Sequence, residues 1–173
     1  WKNAVPMLCK NAAKKNDMET LKDLMICYGA LKDQDGIVRV LGEILKQRPD
    51  DLEARVRLAE ILEGRGEWGE AAGQYEIMLE HAPPDERLPL YTNLGYLYTK
   101  AGKPEKAVSA YLSAANLDQR DPNLHYNLSA LYEQLGRQEE ADFYLDNAVT
   151  LNSDDFEGRL KLAERLAEKG DLE

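Results

Sequence analysis

The stretch "YTNLGYLYTKAGKPEKA", residues 91–107, returns 34 residues later as "HYNLSALYEQLGRQEEA", residues 125–141. The two copies share residues in register, which in the first copy are Asn93, Leu94, Leu97, Tyr98, Gly102, Glu105 and Ala107. A period of this length is the signature of a repeat protein, in which each small unit buries its apolar face against the next unit. The interval therefore predicts an array of repeats.

Each copy predicts two helices joined by a short turn. Leu94, Leu97 and Tyr98 recur at helical spacing. We expect Gly102 to end the first helix, because glycine readily adopts the positive φ found after many helix C-termini. Pro104 suits the first turn of the second helix, where its missing N–H costs nothing. Each repeat is therefore expected to be an antiparallel helix pair.

The same register runs along the whole chain. One equivalent position, at intervals of 34 or 36 residues, is occupied by Leu24, Leu58, Leu94, Leu128 and Leu162. We expect residues 1–173 to be one fragment of a longer array. Its predicted parts are the second helix of a preceding repeat at 1–17, whole repeats at 18–51, 52–87, 88–121 and 122–155, and the first helix of a further repeat at 156–173.

The repeated residues resemble the signature of the tetratricopeptide repeat family. The resemblance is carried in the third repeat by Tyr91-x-x-Leu94-Gly95-x-x-Tyr98 and Ala107-x-x-x-Tyr111, and in the second by Leu58-Ala59-x-x-Leu62 and Ala71-x-x-x-Tyr75. Four matches share one register. The resemblance implies an all-α, right-handed superhelical solenoid of antiparallel helix pairs, with about ten helices.

In folds of this family the first helices line the concave side. By resemblance, the groove residues are Arg57, Glu60, Thr92, Asn93, Tyr96, Thr99, Tyr126, Asn127, Glu133 and Lys161. In some members an asparagine ladder grips the backbone of an extended peptide, since an amide offers both a donor and an acceptor. The resemblance thus implies a non-catalytic scaffold that binds a peptide or helical segment of a partner protein. Asn93, Tyr96, Tyr126 and Asn127 are the central candidates.

The resemblance does not extend to the basic clamp with which some family members hold acidic C-termini. That clamp requires a lysine and an asparagine on one repeat, but Lys22 is followed by Ile26 at the asparagine position. Pro89 stands where a later lysine is needed. An uncharged, aromatic-lined groove therefore fits a protein segment better than an acidic tail does.

No constellation for catalysis, cofactor binding or metal binding is recognised in the sequence. Catalysis needs a nucleophile, a base and a stabilising group in one pocket. Of the two histidines, His81 is expected at a helix C-terminus and His125 as a packing residue in the aromatic position of the signature. "DQDG" at 33–36 lacks the glutamate of a calcium loop, so Asp33 is expected to cap a helix.

Charge and hydropathy narrow the partners further. The net charge of −10 repels phosphate, which argues against nucleic acid. No apolar run approaches the ~20 residues that span a bilayer, so we expect a soluble chain without direct membrane insertion, in the cytoplasm or the periplasm. Cys9 and Cys27 are expected to be buried thiols. The acidic cluster Glu139, Glu140 and Asp142 is expected to face solvent early in a helix.

Two other hypotheses stay open. The first is that the chain is the scaffold arm of a larger bacterial enzyme, or of an envelope polysaccharide or secretion assembly. It is also a candidate for self-association through uncapped repeat ends, because a helix pair cannot bury both of its faces alone.

Overall fold

The computed structural model describes residues 5–8, 17–152 and 154–170. Residues 5–8 are helical, and a 3₁₀ helix occupies Pro84–Glu86. The longer helices in the described ranges are α1 (Met18–Leu31), α2 (Gln34–Gln47), α3 (Leu52–Gly64), α4 (Trp68–His81), α5 (Arg87–Lys100), α6 (Pro104–Leu117), α7 (Pro122–Gln134), α8 (Gln138–Leu151) and α9 (Phe156–Lys169).

The all-α fold class expected from the sequence is confirmed. Those three ranges contain no β-strand. None of the helices described there combines the length and hydrophobicity that a bilayer span requires. The helix expected over residues 1–17 lies largely outside the described residues, as does Cys9, whereas Cys27 is buried as expected.

The chain divides into two compact units, Trp1–Gln74 and Tyr75–Glu173, with the boundary inside α4. In the first unit, α1 packs against α2 and α2 against α3. Their apolar faces form the core of this unit, which includes Leu21, Leu24, Leu41, Ile44 and Leu62. Burial of these side chains is the main stabilising contribution, about 1.5–3 kcal/mol for each fully buried leucine or isoleucine.

In the second unit, α5 pairs with α6, α7 pairs with α8, and further contacts join α6 to α7 and α8 to α9. Short turns connect the partners within each pair, so the helices run antiparallel. Leu94 of α5 and Leu128 of α7 hold equivalent positions and are both buried. The repeat register therefore brings the same residue into the core of each pair, as the sequence predicts.

Glycines with positive φ end the first helix of each pair in the second unit. Gly102 has φ 66° and Gly136 has φ 71°. The N–H of Gly102 donates to the carbonyl of Thr99 at 3.1 Å, and these turn bonds satisfy carbonyls that the helix end leaves open. In the first unit Gly66, with φ 74°, holds the equivalent position after α3, whereas after α1 the position is taken by Lys32, at φ 55°. No other non-glycine residue in the described ranges has a positive φ.

A close approach between α5 and α6 explains the glycine in the repeated motif. A Cβ added at Gly95 would lie 2.7 Å from ring carbons of Tyr111, which is closer than packed carbon atoms come. Tyr111 is itself 4% exposed, so its ring has little room to move. The pair packs tightly at this point because one side chain is missing.

Aspartates begin several helices and position the turns between them. Asp33 accepts a hydrogen bond from the N–H of Gly36 at 2.9 Å, and Asp51 accepts one from Ala54 at 3.0 Å. The cap expected at Asp33 is therefore confirmed. Each cap satisfies a backbone donor that the first turn of a helix leaves without a partner.

Candidate functional site

The predicted groove residues of the second unit lie on its first helices. We call them the first-helix surface, which consists of Thr92, Asn93, Tyr96 and Thr99 on α5, Tyr126, Asn127 and Glu133 on α7, and Lys161 on α9. Most of these side chains are exposed, while Thr92 and Tyr126 are half-buried. Each asparagine precedes a buried leucine by one residue, so core packing orients the surface.

Asn93 and Asn127 occupy the same place on α5 and α7. Both are exposed, and neither side chain makes a hydrogen bond or ion pair within the described ranges. Two amides in one phase are thus open toward solvent, each with donors and an acceptor. Tyr96 lies about one helical turn after Asn93 on α5, is 43% exposed, and has Lys100 Nζ 5.5 Å from its ring centroid.

The threonines of this surface are satisfied by their own helix. Thr92 Oγ1 donates to the carbonyl of Leu88 at 3.0 Å, and Thr99 Oγ1 donates to that of Gly95 at 2.8 Å. Hydroxyls bonded back to the preceding turn offer a ligand less than the asparagines do. They contribute methyl groups and shape to the surface.

Tyr126 is held by α9. Its hydroxyl donates a hydrogen bond to Asp155, the residue that caps α9 by accepting from the N–H of Gly158 at 3.0 Å. Burial, and then the bond and charge of Asp155, raise the pKa of Tyr126 to about 12. The same bond, followed by the N–H of Gly158, lowers the pKa of Asp155. The hydroxyl proton of Tyr126 is therefore not available to a ligand.

Glu133 and Lys161, both predicted groove residues, are brought together across α7 and α9. Lys161 Nζ donates to Glu133 Oε2 at 3.0 Å, and Arg165 approaches the same oxygen at 2.5 Å. The hydrogen bond from Lys161, with further contributions from Arg165, holds the pKa of Glu133 below its usual range. This end of the surface is charged but internally balanced.

Arg165 also joins Asp142 of α8, at 3.1 Å, and both residues are 8% exposed. The expectation that Asp142 faces solvent with its neighbours is wrong, because α9 covers it and supplies a cation. Gln138 donates a further hydrogen bond to Asp142 at 2.8 Å. Sequence reasoning missed Arg165; the signal was its position four residues after Lys161, on the same helix face.

Arg57 and Glu60 are exposed on α3 of the first unit. Arg57 lines a cleft of about 460 Å³ there, together with Lys22, Met25 and Ile26 of α1. Ile26 is 58% exposed, so the cleft has an apolar wall beside three cations and two carboxylates. The predicted residues of this unit thus border a recess of mixed chemistry.

Within the three described ranges, no three His, Cys, Asp or Glu side chains are grouped as a metal site requires. His125 is buried, as its packing role predicts, and its Nε2 contacts the carbonyl of Gln119 at 3.1 Å. His81 lies in the last turn of α4, where it was expected.

The sequence is similar to those of several other proteins. It is 30% identical over 112 residues to the general transcriptional corepressor ssn6 of Schizosaccharomyces pombe, covering 64% of this chain and 10% of the relative. It is 29% identical over 137 residues to the photosystem I assembly protein Ycf3 of Prochlorococcus marinus strain NATL2A, covering 74% and 78%. It is 32% identical over 93 residues to the human protein O-mannosyl-transferase TMTC3, covering 54% and 10%.

Solved structures of MamA have the same fold. One matches with a TM-score of 0.65 at 17% identity, over 83% of both chains. MamA from Desulfovibrio magneticus RS-1 matches with a TM-score of 0.59 at 26% identity, over 89% of this chain and 87% of that one.

Three models of one family match the chain. They are described as TPR repeat over residues 95–136, and as tetratricopeptide repeat over 122–155 and 38–86. Together the matches span more than half of the sequence. The match over 122–155 covers the α7–α8 pair, and the other two run across helices of neighbouring pairs. The chain therefore belongs to the tetratricopeptide repeat family, whose arrays are protein-interaction scaffolds.

Proposed function

We propose that this chain is a non-catalytic scaffold that binds a peptide or helical segment of a partner protein on the first-helix surface. The observation that carries the proposal is the matched exposure of Asn93 and Asn127. Both amides lie in one phase on neighbouring first helices, and both lack an internal partner among the described residues. Each can pair with a peptide unit through its donor and its acceptor.

The surroundings of the asparagines favour a neutral contact. Tyr96 supplies exposed aromatic area, which gives a large contact at a low entropic cost. Glu133 and Lys161 balance each other at the α9 end, so they orient a partner more than they attract net charge. In the first unit, Arg57 and Glu60 provide a separate charged contact.

Our proposal assigns no reaction to the chain, and hence no cofactor. Thr92, Thr99 and Tyr126 all have their hydroxyls engaged by carbonyl or carboxylate oxygens. A nucleophile needs a neighbouring base to activate it, and the main-chain carbonyls that accept from the two threonines cannot act as one. The similarity to Ycf3, which is named as an assembly protein, supports a scaffold role for this chain.

Affinity capture with paired variants tests the proposal. The double variant Asn93→Ala/Asn127→Ala removes both amides without touching the core. We expect it to recover at least about ten-fold less of the specific partner, since each amide contributes roughly one or two hydrogen bonds. Glu139→Ala, on the exposed side of α8, is the matched control and retains the partner. Equal recovery of every partner by the double variant would remove the assignment of this surface.

A second candidate is a scaffold arm within a larger enzyme or envelope assembly. The observation that favours it is the match to TMTC3, which is named as a transferase and of which this chain spans a tenth. The full-length gene sequence discriminates the two candidates. A catalytic or membrane-spanning region joined to this array would support the second, and a gene encoding repeats alone would contradict it.

Self-association through the repeat ends is a further part of the proposal. On α9, Phe156 is 76% exposed and Leu160 is 48% exposed, one helical turn apart. A second copy that covers them would remove apolar area from water. Light scattering tests this interaction: Phe156→Glu/Leu160→Glu is expected to lower the molar mass, and an unchanged mass would contradict pairing through α9.

A further inference from the structure

A cleft of about 390 Å³ is lined mainly by the second helices α6 and α8, and it shares no residue with the first-helix surface. We call it the second-helix cleft; it is lined chiefly by Leu112 and Asn116 of α6, His125 of α7, and Phe143, Tyr144 and Asn147 of α8. None of its lining residues is Lys, Arg, Asp or Glu. In a chain of net charge −10, this uncharged recess is a local exception.

The cleft has an exposed aromatic wall. Phe143 is 61% exposed, and Leu151 at the far end of α8 is 40% exposed. The ring of Phe143 meets that of Tyr144 edge to face at 5.1 Å, and Tyr144 stacks on His125 at 5.9 Å. Large apolar side chains that gather at the rim of a recess are typical of an interaction site.

His125 gives the cleft a specific hydrogen-bonding group. Its Nε2 lies 3.1 Å from the carbonyl of Gln119, and a carbonyl only accepts, so Nε2 carries the proton. In the neutral ring Nδ1 is then an acceptor. That atom is buried and has no hydrogen-bond partner within the ranges that the structure describes. The histidine as a whole is 9% exposed. A buried acceptor without a donor destabilises the free protein and strengthens binding of any group that supplies one.

We propose that the second-helix cleft binds an uncharged partner segment that inserts a tyrosine or tryptophan side chain. The phenol O–H or indole N–H donates to Nδ1 of His125, while the ring packs against Phe143 and Tyr144. Asn116 and Asn147 flank the recess and pair with the backbone of the inserted segment. The uncharged lining disfavours acidic and basic side chains, because their desolvation finds no compensation there.

This site is independent of the first-helix surface, since the two share no residue. A scaffold with both sites holds two partner segments at once, one on the first helices and one on the second. Failure of either site leaves the other unaffected, and variants separate them.

Nuclear magnetic resonance of the full chain tests the proposal with N-acetyl-tyrosinamide as the probe. The nitrogen-15 resonance of His125 Nδ1 reports directly on hydrogen bonding at that atom. We expect a saturable shift with a dissociation constant of about a millimolar, typical of an efficient ligand of this size. N-acetyl-tryptophanamide shifts the same resonance, whereas N-acetyl-phenylalaninamide, which lacks the donor, binds about five-fold more weakly.

Two variants complete the test. Phe143→Ser removes the aromatic wall at a mostly exposed position, so the fold is retained and the shift is lost. Asn93→Ala, on the first-helix surface, leaves the shift unchanged. Absence of a saturable change at His125, equal affinity for the tyrosine and phenylalanine probes, or equal shifts in Phe143→Ser would each overturn the proposal.

Discussion

Tyr126 of α7 donates a hydrogen bond to Asp155, and the same carboxylate caps α9 by accepting from Gly158. One aspartate therefore begins a helix and also fastens that helix to the preceding pair. A Cβ on Gly158 would lie 2.7 Å from the Tyr126 hydroxyl, so the glycine is needed for this contact. The relationship shows that a residue predicted to face a ligand also holds the array together.

The Tyr126–Asp155 bond makes a prediction about pH. The pKa of Tyr126 is raised to about 12, first by burial and second by Asp155. Asp155→Asn should therefore lower that pKa only part of the way toward 10, since burial remains. The folded state favours the protonated phenol of Tyr126. The free energy of unfolding that this preference contributes is therefore fully present below pH 10, and it is lost as the pH rises through 12.

Carbon-13 NMR of the tyrosine Cζ atoms measures this titration. Tyr144 is the matched control, because its pKa is raised by burial and by Tyr132 and owes nothing to Asp155. Its titration should be the same in both proteins. Ionisation of Tyr126 near pH 10 in the unmodified chain would contradict the account.

The ion pair between Arg165 and Asp142 makes a prediction about stability. Arg165→Ala leaves Asp142 buried without its cation, which we expect to lower the free energy of unfolding by about 3 kcal/mol. Arg165→Met/Asp142→Leu replaces both charges with apolar groups and should recover most of that loss. Urea unfolding, followed by circular dichroism, measures both. If the double variant is as unstable as Arg165→Ala, the loss comes from the missing ion pair. It then does not come from leaving the charge of Asp142 buried without a cation.

The contact between Gly95 and Tyr111 makes a prediction about packing. The fourth repeat has Ser129 and Leu145 at the equivalent positions, so the larger residue on one helix faces a smaller one on the other. Gly95→Ser alone should destabilise the chain by about 1–3 kcal/mol, because the serine Cβ overlaps the ring. Gly95→Ser/Tyr111→Leu copies the fourth repeat.

A thermal unfolding series with both single variants and the double variant measures the coupling. We expect the double variant to be more stable than the sum of the single effects predicts, by at least about 0.5 kcal/mol. Strictly additive effects would mean that the two side chains do not compete for the same space.

Lys32 makes a prediction for the first unit. It has φ 55°, at a position where glycine stands in the other helix pairs. A non-glycine residue in this region carries about 1 kcal/mol of strain. Lys32→Gly should therefore raise the free energy of unfolding by up to that amount, while the control Lys32→Ala changes it little. A stability gain for alanine equal to that for glycine would refute the backbone explanation.

The sequence predicted the helix pairs well because their determinants are local. Leucines at helical spacing, Gly102 at the end of a helix and aspartates at helix starts each act within a few residues. Because Leu94 and Leu128 hold the same position in the repeat, burial of the first predicted burial of the second. Lys32 is the exception: its turn has the same geometry without the glycine that marks the others.

The sequence predicted the contacts between helix pairs less well. The partner of Tyr126 is 29 residues away, and the cation beside Asp142 is 23 residues away. Charged residues early in a helix usually face solvent, so the pattern around Asp142 gave the wrong exposure. Which charged side chain a neighbouring helix covers depends on packing that repeat spacing does not encode. The ligand role of the groove residues stays a prediction.

The most direct measurement of the central claim is site-specific photo-crosslinking in cells that express the full-length protein. Benzoyl-phenylalanine placed at position 93 or 127 probes the first-helix surface, and the same group at position 139 probes the exposed side of α8. We predict a discrete protein adduct from positions 93 and 127 that is absent from 139, and that unlabelled wild-type chain competes away. Adducts at 139 alone, or identical adducts at all three positions, would contradict a partner-binding role for the first helices.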